Sequence, residues 1–510
     1  MSTLTPVQQY YKDKTIFITG ATGFMGKVLI EKLLYSCSEL KEIIIICRPK
    51  RGKSPQSRLE EIWKTPIFQR IKDEKPHLLK KVTMFQGDIT LEYLGLSEDD
   101  LKYVAENTNI VFHMAASLKM ECPLTESINM NLAGTRRALD VARKMKQLCA
   151  FVHLSTTFCN YDQKVLYEQV YEVKQEPEDL MRLAEWMDVK TLDSIRKDLI
   201  EPHPNNYTYT KRLTEIYVRN QYETMPVIIA RPSIVTCAYK EPLEGWIDNM
   251  NGPIGLAIAG GKGVLRSLMC AAEAKVENIP VDYATTGLIF IPHYVNEMKT
   301  KPAEVPVFNL TLGDDQKTTS RWVVEKSMEF NNEYPLSMPL WYPNCTLTMN
   351  KYYHWFNVIL FMWLPALLID CLLMLCGQKR FLMRAHKRLM AGLKVLQFFT
   401  TKAWSFKSDK YIEMCKSLTP EEKAIFPTPL DFDKEQYMFN CGIGARQYVC
   451  KEPMSNVPRA KVIYRIMFYL DRVCKILLCS WFFYWLSIKL GLGDYLRYIN
   501  PLHLLTPVKK

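Results

Sequence analysis

The sequence has no CxxC pair, no HExxH, no Walker A motif and no GxSxG. These absences weaken metalloprotease, NTPase and serine-hydrolase readings before any positive motif is weighed. Its 15 cysteines, an odd number, are scattered from Cys37 to Cys479. That suits reduced thiols in a cytosol-facing compartment better than a disulfide framework or a zinc site. His113, His153 and His203 form no metal-ligand pattern, so no metal is expected. The first 13 residues are polar and lack a hydrophobic leader, so the catalytic part is expected to stay on the cytosolic side. The final residues, PVKK, match neither an SKL-type address nor a prenylation box.

A chain of 510 residues can hold more than one structural unit. With 66 Lys and Arg against 54 Asp and Glu, its net charge of +12 suits anionic partners, from phosphorylated cofactors to lipid headgroups or nucleic acid. Composition does not choose among them.

The most informative stretch is KTIFITGATGFMG, Lys14 to Gly26. Apolar and β-branched residues, Thr15 to Thr19, lead into Gly20, Gly23 and Gly26, and the periodic segment Val28 to Leu34 follows. A buried strand, a glycine turn and a helix bring backbone N–H groups to a dinucleotide pyrophosphate, with Gly20, Thr22, Gly23, Phe24, Met25 and Gly26 as the expected cradle. Ile43 to Ile46 reads as a second strand, followed by Arg48, Lys50 and Arg51 where NAD-binding sheets usually carry an acid. The cations suit a 2′-phosphate, hence NADPH.

Further strands are expected at Val82 to Phe85, Asn109 to His113, Phe151 to Leu154 and Val227 to Ala230. Their ends bring Asp88-Ile89, Ala115-Ala116, Ser155-Thr156-Thr157 and Pro232-Ile234 to one sheet edge, with Asn131 opening a following helix. The charged insertion from Asp162 to Pro204 reads equally as a lid or as a solvated helix pair. The alternation of strands and helices fades near Gly313.

Tyr207 and Lys211 are four residues apart and share a helix face. An ammonium beside a phenol would lower its pKa from about 10 and make it a better proton donor to a developing alkoxide, with Thr156 or Ser155 bonding the same oxygen. Tyr209 is less suited, because its partner at the same spacing is Leu213.

Past Met349 the composition changes. Trp355 to Cys376 is 22 mostly apolar residues interrupted by Asn357, Pro365 and Asp370, and Lys379 to Lys410 carries nine Lys and Arg against one acid. Length allows a membrane span, but the basic flank would then lie on the far side, against the positive-inside tendency. A re-entrant, interfacial or buried helix reconciles the two. A second run, Ile476 to Ile488, covers only about 20 Å as helix; extending it to Val473–Leu492 reaches bilayer thickness with Lys475 and Lys489 near its ends. Membrane association is expected, with spanning and surface binding both left open.

Within the extended short-chain dehydrogenase/reductases, the order GATGFMGKVLIEKLL, CRPKRG, GDI, FHMAAS, NMNLAGT, HLSTTF, NNYTYTKRL, ARPSIV and PVDYA resembles fatty acyl-CoA reductase. LPALLIDCLLMLCG and FFTTKAWSF are similar to that family's C-terminal domain. The resemblance implies an α/β, Rossmann-type doubly wound parallel sheet with insertions over 1–320, a mainly helical domain over 349–470 and a hydrophobic membrane-associating tail over 471–510. It also implies reduction of a long-chain fatty acyl-CoA to a primary alcohol with two NADPH, supplying wax or ether-lipid precursors. Tyr207 would protonate the carbonyl oxygen, Lys211 would tune it and hold the nicotinamide ribose, and Thr156 or Ser155 would polarise the thioester. Thr157-Phe158 replaces the family's usual Ala-Tyr. Lys262 and Arg266 are weak candidates for coenzyme A. Membrane lipid is an expected partner at the cytosolic face of the endoplasmic reticulum or peroxisome; nucleic acid is not, and a homo-oligomer is left open. The competing readings are a membrane-bound steroid or sugar dehydrogenase of the same superfamily and a non-enzymatic NADPH- or lipid-binding scaffold.

Overall fold

The computed structural model describes residues 4–48 and 52–490. Seven parallel strands form the main sheet: β1 (Thr15–Thr19), β2 (Glu42–Cys47), β3 (Val82–Gln86), β4 (Ile110–His113), β5 (Ala150–Leu154), β6 (Val227–Pro232) and β7 (Val307–Leu310). Their spatial order is 7-6-5-4-1-2-3, with Ile16 opposite both Ile43 and Ile110. This is the doubly wound sheet expected from the sequence, although β7 was not foreseen. The strands read as unbroken apolar runs because both faces are covered. Ile16, Ile18, Ile43 and Ile45 enter one core, whereas Phe17, Ile44, Ile46 and Val111 enter the other.

Two elements position the site. Helix α1 (Phe24–Ser36) starts at Gly23, and α2 (Asn206–Arg219) starts at Asn205, whose side chain accepts from the Thr208 N–H at 2.9 Å. The insertion contributes helices Pro177–Trp186 and Val189–Ile200, whose Leu180, Met181, Leu192 and Ile200 are buried in the second core with Tyr209 and Leu213. It is therefore packed through one apolar face.

The later chain supplies α3 (Pro253–Gly261), α4 (Ser320–Glu333), α5 (Lys351–Leu375, with a π-helical stretch at Ile359–Trp363), α6 (Leu382–Thr400) and α7 (Val457–Lys489). Residues between α6 and α7 pack on the helix Val281–Asn296 and on the loop after β6: Tyr411 Oη donates to the Tyr283 carbonyl at 3.0 Å and Asn440 Nδ2 to the Tyr239 carbonyl at 3.0 Å. Among the described residues, α5 is the one helix long and apolar enough to cross a membrane, with a mean hydropathy of 2.5 in its most apolar window. The acid that interrupts it, Asp370, is buried and accepts the Phe381, Leu382 and Met383 N–H groups at 3.0–3.1 Å, so it ties α5 to the start of α6. Part of the expected tail, 491–510, lies outside the described residues.

Gly245, at φ +69°, and Gly444 meet backbone to backbone, and a Cβ on Gly444 would collide with the Gly245 carbonyl. Backbone cannot yield as a flexible side chain does, so Gly444→Ala is expected to cost about 1–3 kcal/mol, read as a lower midpoint in urea or thermal melts. Gly392→Ala, with open space around the missing Cβ in α6, should leave the midpoint equal or higher.

Candidate active site

The turn after β1 is shaped for close backbone approach. Gly20 has φ +74°, and a Cβ there would lie 2.7 Å from the Ala115 N; on Gly26 it would lie 2.5 Å from the Gly20 carbonyl. Thr22 and Gly23 are exposed, Phe24 and Met25 are half-buried, and Gly23 brings no side-chain cap to α1. A helix start without a capping side chain leaves its N–H groups for an anion. The residues present therefore fit a dinucleotide pyrophosphate. Phe24 stacks on Trp246 with ring centroids 5.2 Å apart, which fixes one side of the turn.

A hydrogen-bonded chain runs from this turn to α2. Thr19 Oγ1 accepts the Met114 and Ala115 N–H groups at 3.2 and 3.3 Å and meets His113 Nδ1 at 2.8 Å. The other imidazole nitrogen meets Thr135 Oγ1 at 3.0 Å, which donates to the Asn131 carbonyl at 2.7 Å. Asn131 is buried; it accepts the Ser117 N–H at 2.8 Å and donates to Thr210 Oγ1 at 3.0 Å. Burial drives His113 down to about 3, with Lys211 adding to the effect, so the ring is neutral. Ala115 and Ala116 are thus carried on a loop pinned at both ends.

The other expected cofactor residues lie at the carboxyl ends of the strands. Asp88 is half-buried, and its Oδ1 accepts both the Thr90 N–H and hydroxyl at 2.9 Å. Ile89 is buried against Gly134. Pro232 ends β6, while Ile234 beyond it lines an apolar cavity. Arg48 is exposed just after β2, and Arg58, which donates to its carbonyl, adds a cation the sequence reading passed over. Lys50 and Arg51 lie outside the described residues.

Tyr207 and Thr156 come together, Lys211 reaches the Leu154 carbonyl two residues before Thr156, and Ser155 turns elsewhere. Thr156 hydrogen-bonds the Tyr207 phenol and also accepts the Phe158 N–H at 3.3 Å, whereas Ser155 Oγ faces Cys159 Sγ at 3.8 Å. Packing around the phenol pushes Tyr207 above the ordinary phenol range, with Cys159 adding to the rise and the Thr156 bond opposing it. This differs from the expected lowering by Lys211, whose Nζ donates to the Leu154 carbonyl at 2.6 Å. Burial is the larger effect, and it keeps Tyr207 protonated as a donor must be. Burial also brings Lys211 down to about 8, against smaller opposing effects from Cys159 and Glu215.

Glu215, four residues beyond Lys211, was missed because a carboxylate on a helix reads as surface. It is fully buried and grips Arg231 with two bonds of 2.7 Å; Arg231 also donates to the Tyr167 and Gln169 carbonyls at 3.2 and 2.8 Å. Lys262 and Arg266 are committed elsewhere, to Glu452 at 2.6 Å and to the buried Asp471 at 3.1 Å.

Starting at Phe158, two residues beyond Thr156 in the chain, an apolar cavity of about 200 Å³ opens between α3, α4 and α6, lined also by Ile234, Leu256, Leu268, Val323 and Phe399. Phe158 packs edge-on against Phe399, Trp404 and Phe406, with centroids 5.1–5.5 Å apart. The FFTTKAWSF stretch therefore builds the cavity wall around Phe158.

A doubly wound sheet with a glycine turn, a Tyr-Lys pair on one helix and a strand-end hydroxyl defines an oxidoreductase of the short-chain dehydrogenase/reductase type. Two family models, both described as male sterility protein, match residues 18–288 (the NAD-binding part) and 361–452 (the Sterile part). The chain is 34% identical to fatty acyl-CoA reductase 1 of Rattus norvegicus over 90% of this chain and 89% of that protein. It is 31% identical to fatty acyl-CoA reductase wat of Drosophila melanogaster over 94% and 93%. The chain belongs to the fatty acyl-CoA reductase family. Its fold is shared with the reductase domain of a nonribosomal peptide synthetase from Mycobacterium tuberculosis, at a TM-score of 0.57 and 14% identity, covering 86% of this chain and 92% of that one.

The Lys211 shift has a sign that can be measured. Between about 8 and 10.5 the unfolded chain holds the proton and the folded chain does not, so this group's contribution to stability rises with pH across that window. In nucleotide-free protein, the melting temperature of wild type minus that of Lys211→Met should increase from pH 7.5 to pH 10.

Proposed function

We propose that this protein reduces a long-chain fatty acyl-CoA to the primary alcohol with two NADPH, releasing coenzyme A at the first stage and reducing the bound aldehyde at the second. The observation that carries this reading is the apolar cavity beginning at Phe158, two residues beyond Thr156. A long hydrocarbon held there leaves its carbonyl carbon among the groups that move a proton. Family relatives named fatty acyl-CoA reductase support the same substrate class.

The dinucleotide supplies hydride when bound, and the Gly20–Gly26 turn and the start of α1 would hold its pyrophosphate. Tyr207 donates its phenolic proton to the carbonyl oxygen as negative charge develops there. Thr156 holds the phenol and gives the same oxygen a second hydrogen bond, which stabilises the transition state more than the neutral ground state. Lys211, fixed by the Leu154 carbonyl, places a cation beneath the site and holds the nicotinamide ribose. Phe158 and its aromatic neighbours exclude water. NADPH in preference to NADH rests on Arg48 and Arg58 after β2, where a 2′-phosphate would meet cations. The exposed apolar side chains of α5 and α7, including Trp355, Leu372, Trp481 and Phe483, support membrane association. The catalytic part would face the cytosol at the endoplasmic reticulum or peroxisome.

Purified protein given palmitoyl-CoA and NADPH should yield hexadecanol with two NADPH consumed per alcohol. Tyr207→Phe should lower kcat about 10²–10⁴-fold with an unchanged melting curve; sterol turnover without thioester reduction would refute the assignment. Arg48→Glu should raise the KM for NADPH about tenfold and leave that for NADH unchanged or lower, an effect of about 1.4 kcal/mol on one charged contact.

A further inference from the structure

The polar arm of an acyl thioester calls for a cation at the cavity, and two lysines line it: Lys275, whose Nζ donates to the Asp314 carbonyl at 2.7 Å, and Lys402. Lys402 is exposed, lines the cavity and has no carboxylate partner among the described residues. Its Nζ lies 4.0 Å from the Phe398 ring centroid and 5.4 Å from that of Tyr161. The aromatic faces hold the ammonium in place without neutralising it. This contrasts with Lys262 and Arg266, whose charges are met by Glu452 and Asp471.

A second feature lies against the same rings. Tyr161 packs on His203 with centroids 4.9 Å apart, and His203 packs on Tyr209 at 5.3 Å. Tyr161 Oη, His203 Nδ1 and Tyr209 Oη are all buried without a hydrogen-bond partner. Three such atoms in one cluster are costly unless a ligand satisfies them. Burial also brings His203 down to about 4, which leaves a neutral ring able to donate from one nitrogen and accept at the other. The cluster is tied to the reacting groups by sequence: Tyr161 is five residues past Thr156, and His203 is two before Asn205, which caps the helix bearing Tyr207.

We propose that Lys402, with Tyr161 and His203 beside it, forms the subsite for the phosphopantetheine arm of the acyl thioester: the ammonium takes a phosphate, and the phenol and imidazole take the amides of the arm. The proposal rests on the thioester-reductase reading above and names where that substrate's polar half is held. Coenzyme A and a carrier protein share this chemistry, so the test uses substrates that differ in the phosphate.

Palmitoyl-CoA, S-palmitoyl-pantetheine (which has no phosphate) and hexadecanal are compared as substrates with NADPH. Lys402→Ala should raise the ratio of KM for palmitoyl-CoA to KM for hexadecanal about tenfold, and the ratio for S-palmitoyl-pantetheine less than twofold, as expected for one lost phosphate contact of about 1.4 kcal/mol. Lys402→Arg should restore the palmitoyl-CoA ratio, and added salt should erase the difference between wild type and Lys402→Ala. Equal losses on all three substrates would make Lys402 a piece of wall and overturn the subsite, as would an unchanged palmitoyl-CoA ratio. Efficient NADPH-dependent reduction of a palmitoylated carrier protein, with poor use of palmitoyl-CoA, would reassign the arm to that source. Wild-type protein that reduces hexadecanal but no thioester would overturn the function itself, and the subsite with it.

Discussion

The candidate site depends on a fully buried carboxylate, Glu215. Glu215 and Arg231 form a buried, two-pronged ion pair between α2 and β6, and Arg231 spends its remaining donors on two backbone carbonyls of the chain between β5 and α2. Removing two charges from water is expensive, and the cost is offset only where geometry is good and the remaining donors are satisfied. Those conditions hold for one placement of α2. Because Tyr207 and Lys211 lie on that helix eight and four residues before Glu215, the pair fixes their height above the sheet edge. Cys159 Sγ also reaches Glu215, at 3.4 Å, which ties in the short helical turn that Thr156 caps.

The same logic explains the Thr19–His113–Thr135–Asn131 chain on the opposite side of the site. A buried imidazole with a partner on each nitrogen tolerates little displacement. It therefore locks the glycine turn of β1 to the helix that carries Asn131, and through Thr210 to α2. Two buried polar systems, one ionic and one neutral, hold the helix that carries the Tyr207 and Lys211 side chains.

Elements carried by local pattern were legible in the sequence. Apolar runs ending in Gly20 or in Ser155-Thr156 announce buried strands and what they deliver, because strand burial and the glycine turn are properties of neighbouring residues. The seventh strand, VFNL, is interrupted by Asn309 and follows a loop, so no apolar run marks it. Glu215 and Lys402 were hidden for a different reason. Each is an ordinary charged residue in its own stretch, and each gains meaning only from a partner, or the lack of one, far away in sequence. Between Thr156 and Ser155 the sequence could not decide, since both leave the same strand; the turn that makes Thr156 a cap for the Phe158 N–H selects it.

The apolar helix α5 shows how a membrane-like composition and a packing role coexist. His354, Val358, Met362, Ala366 and Asp370 are all buried, at a spacing of four residues. In an ideal α-helix such a stripe drifts by about 40° at each step and would leave the protein surface within two or three turns. The π-helical stretch at Ile359–Trp363 takes more residues per turn and recovers part of that drift, which keeps the stripe facing inward. Val358 and Met362 there join Leu265, Leu268, Cys270 and Leu393 in one cluster. Leu265, Leu268 and Cys270 also line the cavity. One side of α5 is thus part of the support behind the cavity wall, while Trp355, Phe356, Leu368 and Leu372 on its other side are exposed among the described residues. A helix that was apolar only to enter a bilayer would have no need of a register-keeping turn; this one has to satisfy a wall on one face whatever meets the other.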